Sequence, residues 1–368
     1  MDLSALSPQA QKILSAPLPL RQMAAKGIAP GLRPADALTV VVVMADGEDT
    51  TLAQIAKQTL LAIPGPLLNG ALVPELAPAV LHRVALGFAR VPNVIEHMLR
   101  LPQLSHETVS DLADLASESV AELLAINEER LLAHPTIIEK LYMNEHTRMS
   151  TADRILEFAV RHRLELPGIP AYKEAAQAIL NELIVEPQAE MTPDDLLFLE
   201  THLVATQLSA DPAQEDTFTR DEASGEEVVR ERFLPLYAQL AKLTITQKIR
   251  RALLGTAVER LLLVRDKSTL VAVAAVRSPR IQENEVIQIS ASRTVPDDVL
   301  RVIALDRGWT KSHQIKLNLV QNPRTPFLFA AKLIPHLRDH ELRALAKSKN
   351  VTGAVSNAAR QHLSRKER

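Results

Sequence analysis

The 368-residue chain contains no cysteine. Disulfide staples, thiolate nucleophiles, zinc ribbons and thiolate-held iron–sulfur clusters are therefore excluded. Aromatics are scarce, with 7 Phe, 3 Tyr and 1 Trp, too few for a series of platforms on which single-stranded bases stack. Glycine is scarce too, at 11 residues, and neither G-x-x-x-x-G-K-[ST] nor G-x-G-x-x-G occurs, so no loop reads as a phosphate cradle. The most apolar run, Val40–Ala45 with its flanks, falls far short of the roughly 20 residues that cross a bilayer. The N-terminus places Asp2 before any basic residue and has no sustained apolar core of a signal peptide. A cytoplasmic location without a transmembrane segment is the resulting expectation.

Charge is plentiful but unevenly placed. Whole-chain net charge is only −2, yet residues 238–368 carry 24 Lys and Arg against 10 Asp and Glu (+14), leaving 18 against 34 (−16) for residues 1–237. Such asymmetry points to an anionic partner for the basic half, or to mutual attraction of the two halves. The stretch Ser209–Glu227 is polar, acidic and poor in large aliphatics. It has too little apolar surface to offset its ordering entropy and reads as a mobile linker. The expected organisation is an acidic domain over 1–208, a linker over 209–227 and a basic domain over 228–368.

Apolar spacing is helical nearly throughout. Thr192-Pro193-Asp194-Asp195 combines an N-cap, a proline at the first helical position and two acids that suit the helix dipole. Leu196, Leu199 and Leu203 follow on one face. Ser150–Asp153 opens another helix, with Ile155, Leu156, Ala159 and Val160 as its inner face. Pro296-Asp297-Asp298 introduces Val299, Leu300, Ile303 and Ala304; Leu342, Leu345, Ala346 and then Val355, Ala358, Ala359 repeat the spacing. Thr39–Met44 (TVVVVM) has β character, but the helix start at Pro34–Leu38 assigns it to a helix.

Short helices separated by short turns suggest a stacked array. An internal echo agrees with this. Val276-Arg277-Ser278-Pro279-Arg280 resembles Val320-Gln321-Asn322-Pro323-Arg324, and Ser292-Arg293-Thr294-Val295 resembles Ser348-Lys349-Asn350-Val351. The two pairs are offset by about one helix, so the repeat is irregular. On these motifs, segment 271–363 resembles bacterial HEAT-like and leucine-rich-variant helical repeats, a group with no established activity. Ala133–Ile138 and Arg148–Ala159 carry a looser version. The resemblance implies an all-α fold, an irregular α-solenoid in two parts, and no catalytic residue.

Many cations fall at helix ends and turns of the basic half: Arg277, Arg280, Arg293, Arg307, Lys311, Arg324, Lys347 and Lys349, joined by Lys248, Arg250 and Arg251. Aligned along one edge of a solenoid, they would form a basic ridge able to neutralise phosphates with little sequence preference. Cations near helix C-termini also simply answer the dipole. His336 and His340, beside Asp339 and Glu341, would share a helical face, but they do not make an H-E-x-x-H metal site. Trp309 near Asp306 in a basic array invites comparison with HEAT-like DNA glycosylases, although packing between repeats explains one tryptophan more simply. The acidic pairs Asp194-Asp195, Asp297-Asp298 and Glu128-Glu129 read as helix starts. The function expected from the sequence is non-enzymatic recognition by a scaffold that binds another protein, with nucleic-acid or anionic-surface binding by residues 238–368 as the alternative. No cofactor or metal is implied.

Overall fold

The computed structural model describes residues 7–180, 191–209, 217–220, 227–348 and 350–366. Among these the chain forms 24 α-helices and a single two-stranded ribbon, so the fold is all-α. Contacts group into two compact units, Met1–Gly168 and Ile169–Arg368. This division lies upstream of the 209–227 stretch expected to separate two domains. The reason is packing: helix Pro193–Ser209 lies against helices Leu234–Lys242 and Ala257–Leu263, which holds both sides of the acidic stretch within the second unit. Residues 210–216 and 221–226 of that stretch lie outside the described residues. Of its described parts, Phe218–Arg220 pairs antiparallel with Glu227–Val229, a strand that begins at the last residue of the stretch.

In the second unit each helix of a row packs on the helix after next; in the first the step is two or three helices. In the first, Pro34–Ala45, Pro78–Gly87, His106–Leu115 and Thr136–Met143 follow one another in one row, and Gly65–Ala71, Pro92–Met98, Glu118–Ala125 and Met149–Arg161 in another. In the second, one row runs through Ile245–Leu254, Thr269–Val276, Asp297–Leu305, Phe327–Leu333 and Gly353–Lys366. Its companion runs through Leu234–Lys242, Ala257–Leu263, Glu283–Ala291 and His313–Gln321. Thr39–Met44 is helical, as expected. Val40, Val41 and Val42 are each at most 2% exposed, and burial on all sides overrides the modest helix propensity of β-branched residues.

The inner faces follow the spacing: Ile155, Leu156, Ala159, Val299, Leu300, Ile303, Leu342, Leu345, Val355 and Ala359 are buried, while Val160, Ala304, Ala346 and Ala358 are half-buried. Helix Pro193–Ser209 behaves differently. Its buried face is Asp195, Phe198, Thr201 and Ala205, while Leu196, Leu199 and Leu203 share the opposite, exposed face. Phe198 fits against the buried guanidinium groups of Arg250 and Arg251.

The turns are tied to one another by side chains that end the helices. Asn322 leaves helix His313–Gln321 in an extended conformation, φ −77° and ψ 117°. Its Nδ2 donates to the carbonyls of Ser290 (2.9 Å) and Ser292 (2.7 Å) at the end of the previous helix of the row, while its Oδ1 accepts from Arg324 N at 3.0 Å. Asn144 repeats the arrangement in the first unit, donating to Ala113 O and Ala116 O at 2.8 and 2.9 Å and accepting from His146 N. Carbonyls at a helix end lack intrahelical donors, and these amides supply them. Ser278 acts likewise on Leu253 O. Ser292 and Ser348 leave their helices with nearly the same backbone angles and accept from Thr294 N and Asn350 N. The sequence echo is thus an echo of turn chemistry.

Replacing Asn322 by Ala strips two buried carbonyls of their donor. The expected loss is about 1–3 kcal/mol in urea unfolding, from unsatisfied buried acceptors; Arg324→Ala, which removes one exposed side chain, should cost less.

Candidate functional site

Three glutamates occupy the third position of their helices, and each does two jobs. Glu259 Oε2 accepts from Thr256 N at 2.7 Å, and Oε1 accepts from Arg251 Nε at 2.7 Å. Glu285 accepts from Gln282 N at 3.0 Å and takes a two-pronged bond from Arg260, both prongs 2.8 Å. Glu341 accepts from Arg338 N and from His313 Nε2, each at 2.8 Å. A carboxylate at this position suits both the free amides and the dipole of a helix start. Here it also anchors an arginine or a histidine from a neighbouring helix. Spacing alone marks such glutamates as caps; only the fold brings Arg260 and Glu285, 25 positions apart, together.

Around Glu259 the interior is unusually charged. Arg250 is 0% exposed, Arg251 3%, Glu259 0%, Arg260 4% and Glu285 6%. Arg250 and Arg251 both lie over the ring of Phe198, 5.4 and 5.0 Å from its centroid, and Arg251 also meets His202 Nδ1 at 2.9 Å. Arg260 Nη1 donates to Gly255 O at 2.7 Å. Gly255 itself is required by close approach: an added Cβ would lie 2.4 Å from Arg251 O and 2.5 Å from Glu259 Oε2.

A second constellation lies at a turn surface. The ribbon Phe218–Arg220/Glu227–Val229 sets Glu227 against Arg265 (3.0 Å), Ser292 Oγ (2.6 Å) and Thr294 Oγ1 (3.2 Å), all on one carboxylate oxygen. Phe218 lies on the other side of Arg265, its ring centroid 3.5 Å from the guanidinium carbon. Arg265 Nε also reaches Thr294 Oγ1 at 3.0 Å, which joins turn 264–268 to turn 292–296. Burial pushes the Glu227 carboxyl upward, but the Ser292, Arg265 and Thr294 contacts outweigh it and hold the carboxyl below its ordinary value. Its stabilising contribution is therefore complete above the ordinary carboxylate range and fades as pH falls through the lowered value. Burial pushes Arg265 below its ordinary value, opposed by Glu227. A cavity of about 230 Å³, lined in part by Tyr237, Lys248, Arg265, Asp266 and Lys267, opens beside it.

The eleven basic residues singled out in the sequence fall into different environments. Arg250 and Arg251 are interior. Lys248 is largely buried against Asp266 at 3.0 Å. Arg277 pairs with Glu174 at 3.0 Å, Arg280 donates to Leu254 O at 2.7 Å, and Arg324 donates to Val295 O at 3.3 Å. Arg293, Arg307, Lys311 and Lys347 are exposed. Lys349 lies outside the described residues. The turns carrying these groups form two series. Hydrogen bonds join 264–268, 292–296 and 322–326, bringing Arg265, Arg293 and Arg324 into one series. Arg277 and Arg280 instead belong with the turn at 253–255. Arginine-to-carbonyl ties of the same kind recur in the first unit, from Arg130 to Leu99 O and from Arg154 to Ala125 O.

His336 closes a short 3-10 helix and His340 lies in the next helix, Asp339–Lys347, so they do not share one helix; Glu341, beside His340, is engaged by His313. Among the described residues no group of three or more His, Asp or Glu is placed to hold a metal. Asp306 Oδ1 accepts from Gly308 N (2.6 Å) and Trp309 N (3.3 Å), shaping the turn in which half-buried Trp309 sits. The acidic pairs Asp194-Asp195, Asp297-Asp298 and Glu128-Glu129 all lie in first helical turns.

Removing one partner of the buried Arg260–Glu285 pair leaves an uncompensated charge. Glu285→Ala is expected to cost about 3–5 kcal/mol, and the double replacement Arg260→Met/Glu285→Leu clearly less, both measured by chemical denaturation. Additive single-site losses would contradict the pairing. No protein-family model, no curated protein and no solved structure matches the chain.

Proposed function

We propose that the chain is an irregular α-solenoid whose work is recognition, a scaffold that binds another protein through its series of helix-connecting turns. The observation that carries this reading is the tying of successive turns to one another by Asn322, Ser278, Arg280 and Arg324. Such ties hold equivalent turns at fixed spacing, and a row of evenly spaced turns presents an extended surface to an extended partner. Rows of helices packed at steps of two in the second unit, and of two or three in the first, support the same reading.

A protein partner is favoured over nucleic acid by the fate of the cations. Tracking a phosphate backbone requires many free cations in one line. Here Arg250, Arg251, Lys248, Arg277, Arg280 and Arg324 are engaged by rings, carboxylates or carbonyls, and the basic turns divide between two series. That leaves Arg293, Arg307, Lys311 and Lys347 as exposed charges, suited to a partner of limited negative charge.

Affinity capture with the full chain, with and without nuclease, tests the proposal. Capture should survive nuclease and fall about tenfold for Arg293→Glu/Lys347→Glu, because charge reversal at an exposed site weakens encounter with an anionic partner. Capture abolished by nuclease would overturn the protein-binding reading in favour of nucleic acid.

A further inference from the structure

The contact between Glu227 and its surroundings has the form of a bound ligand. One carboxylate oxygen receives a guanidinium N–H and two hydroxyls, and an aromatic ring covers the other side of the same guanidinium. The receiving groups, Arg265, Ser292 and Thr294, come from two successive turns of the helical rows. Contacts that do not involve Glu227 also hold them: Arg265 Nε donates to Thr294 Oγ1 at 3.0 Å, Ser292 Oγ accepts from Thr294 N at 3.3 Å, and Arg265 Nη1 donates to Leu261 O at 2.8 Å. The notch is therefore preorganised, which is the condition for recognising an incoming group without reordering. The occupying group comes from a short ribbon of two three-residue strands. An isolated two-stranded ribbon is marginal in water. What fastens this one on the turn side is the contact of Glu227 and Phe218 with Arg265.

From this geometry we infer that the ribbon is an internal ligand, occupying a carboxylate-recognition notch that accepts an acidic peptide of a partner in exchange. The occupant is specified by chemistry. The notch offers one positive charge and two hydroxyl donors converging on a single oxygen, which matches the side chain of a glutamate or aspartate. Exposed Arg293 stands between Ser292 and Thr294, and the tied turn at 322–326 follows with Arg324, so further acidic residues of the same peptide would find cations beyond the notch. The cavity beside Arg265 supplies room next to the guanidinium. Exchange of an internal acidic segment for an external one also explains why a carboxylate-rich stretch is placed in the chain just ahead of the basic rows. The inference rests on the recognition reading above and names the partner's chemistry.

The test uses the full chain and a fluorescent synthetic peptide copying residues 214–230, followed by anisotropy. Glu227→Gln, which weakens the internal ligand, should bind the peptide at least about tenfold more tightly than the unaltered chain, because the competing intramolecular contact is lowered. Adding Arg265→Gln should abolish that gain, as should a Gln at the peptide's own Glu227 position. Equal affinity for the unaltered chain and Glu227→Gln, or indifference to the peptide's carboxylate, overturns the inference. A second measurement does not depend on how Glu227→Gln folds. Thr217→Cys places a single thiol, in a chain that otherwise has none, at a position only 4% exposed. Excess peptide should speed its modification several-fold; an unchanged rate counts against exchange. A chain that binds its partner through another face would fail both measurements yet still show nuclease-resistant capture, so failure here is distinguishable from failure of the recognition reading.

Discussion

The structure depends on how helix ends are satisfied. With helices of six to seventeen residues, a large share of the backbone lies within a turn of an end, where carbonyls and amides have no intrahelical partner. The chain meets this demand between neighbours. Asn322, Asn144 and Ser278 donate to carbonyls of an earlier turn, while Arg280, Arg324, Arg130 and Arg154 reach back with guanidinium groups. The amide end is served by Glu259, Glu285 and Glu341, which cap their own helices and bind an arginine or a histidine of another. Apolar burial supplies the driving force for folding, but it is not directional. Register between helices comes from these polar ties.

This account also changes the meaning of the charge asymmetry. Several arginines in the basic half that looked like a surface ridge are the donors of the tying system, and some are interior. Arg250, fully buried over Phe198, is the extreme case. A buried guanidinium is tolerable only when its donors are met, and Arg260 shows how this is done, with two bonds to Glu285 and one to Gly255 O. Gly255 is glycine because Arg251 O and the Glu259 carboxylate leave no room for a Cβ. The net charge of a segment therefore says little about its surface until the internal partners are known.

Much of the fold was legible in the sequence. Helical period, proline at helix starts and acidic first turns placed Pro193–Ser209, Asp297–Leu305 and Asp339–Lys347 correctly, and the TVVVVM segment was rightly kept helical. The echo of Ser278 with Asn322, and of Ser292 with Ser348, pointed to real turn chemistry. Other features were not legible, for physical reasons. An apolar stripe shows which residues share a face but not whether that face is covered, so Leu196, Leu199 and Leu203 gave no sign of being exposed. Long-range pairing leaves no local signal: Glu227 and Arg265 lie 38 positions apart. Low hydrophobicity around 209–227 suggested a free linker, yet Phe218–Arg220 within it pairs with Glu227–Val229 at its end, and the pair docks through one carboxylate and one ring.

The central claim is that polar ties between neighbouring turns, rather than one undivided core, set the register of the helices. Native-state hydrogen exchange on the Asn322→Ala chain tests it most directly. The account predicts loss of protection concentrated in helices Glu283–Ala291 and His313–Gln321, which the Asn322 side chain joins, with Ile245–Leu254 nearly unchanged. A uniform loss across all helices of the second unit would contradict it.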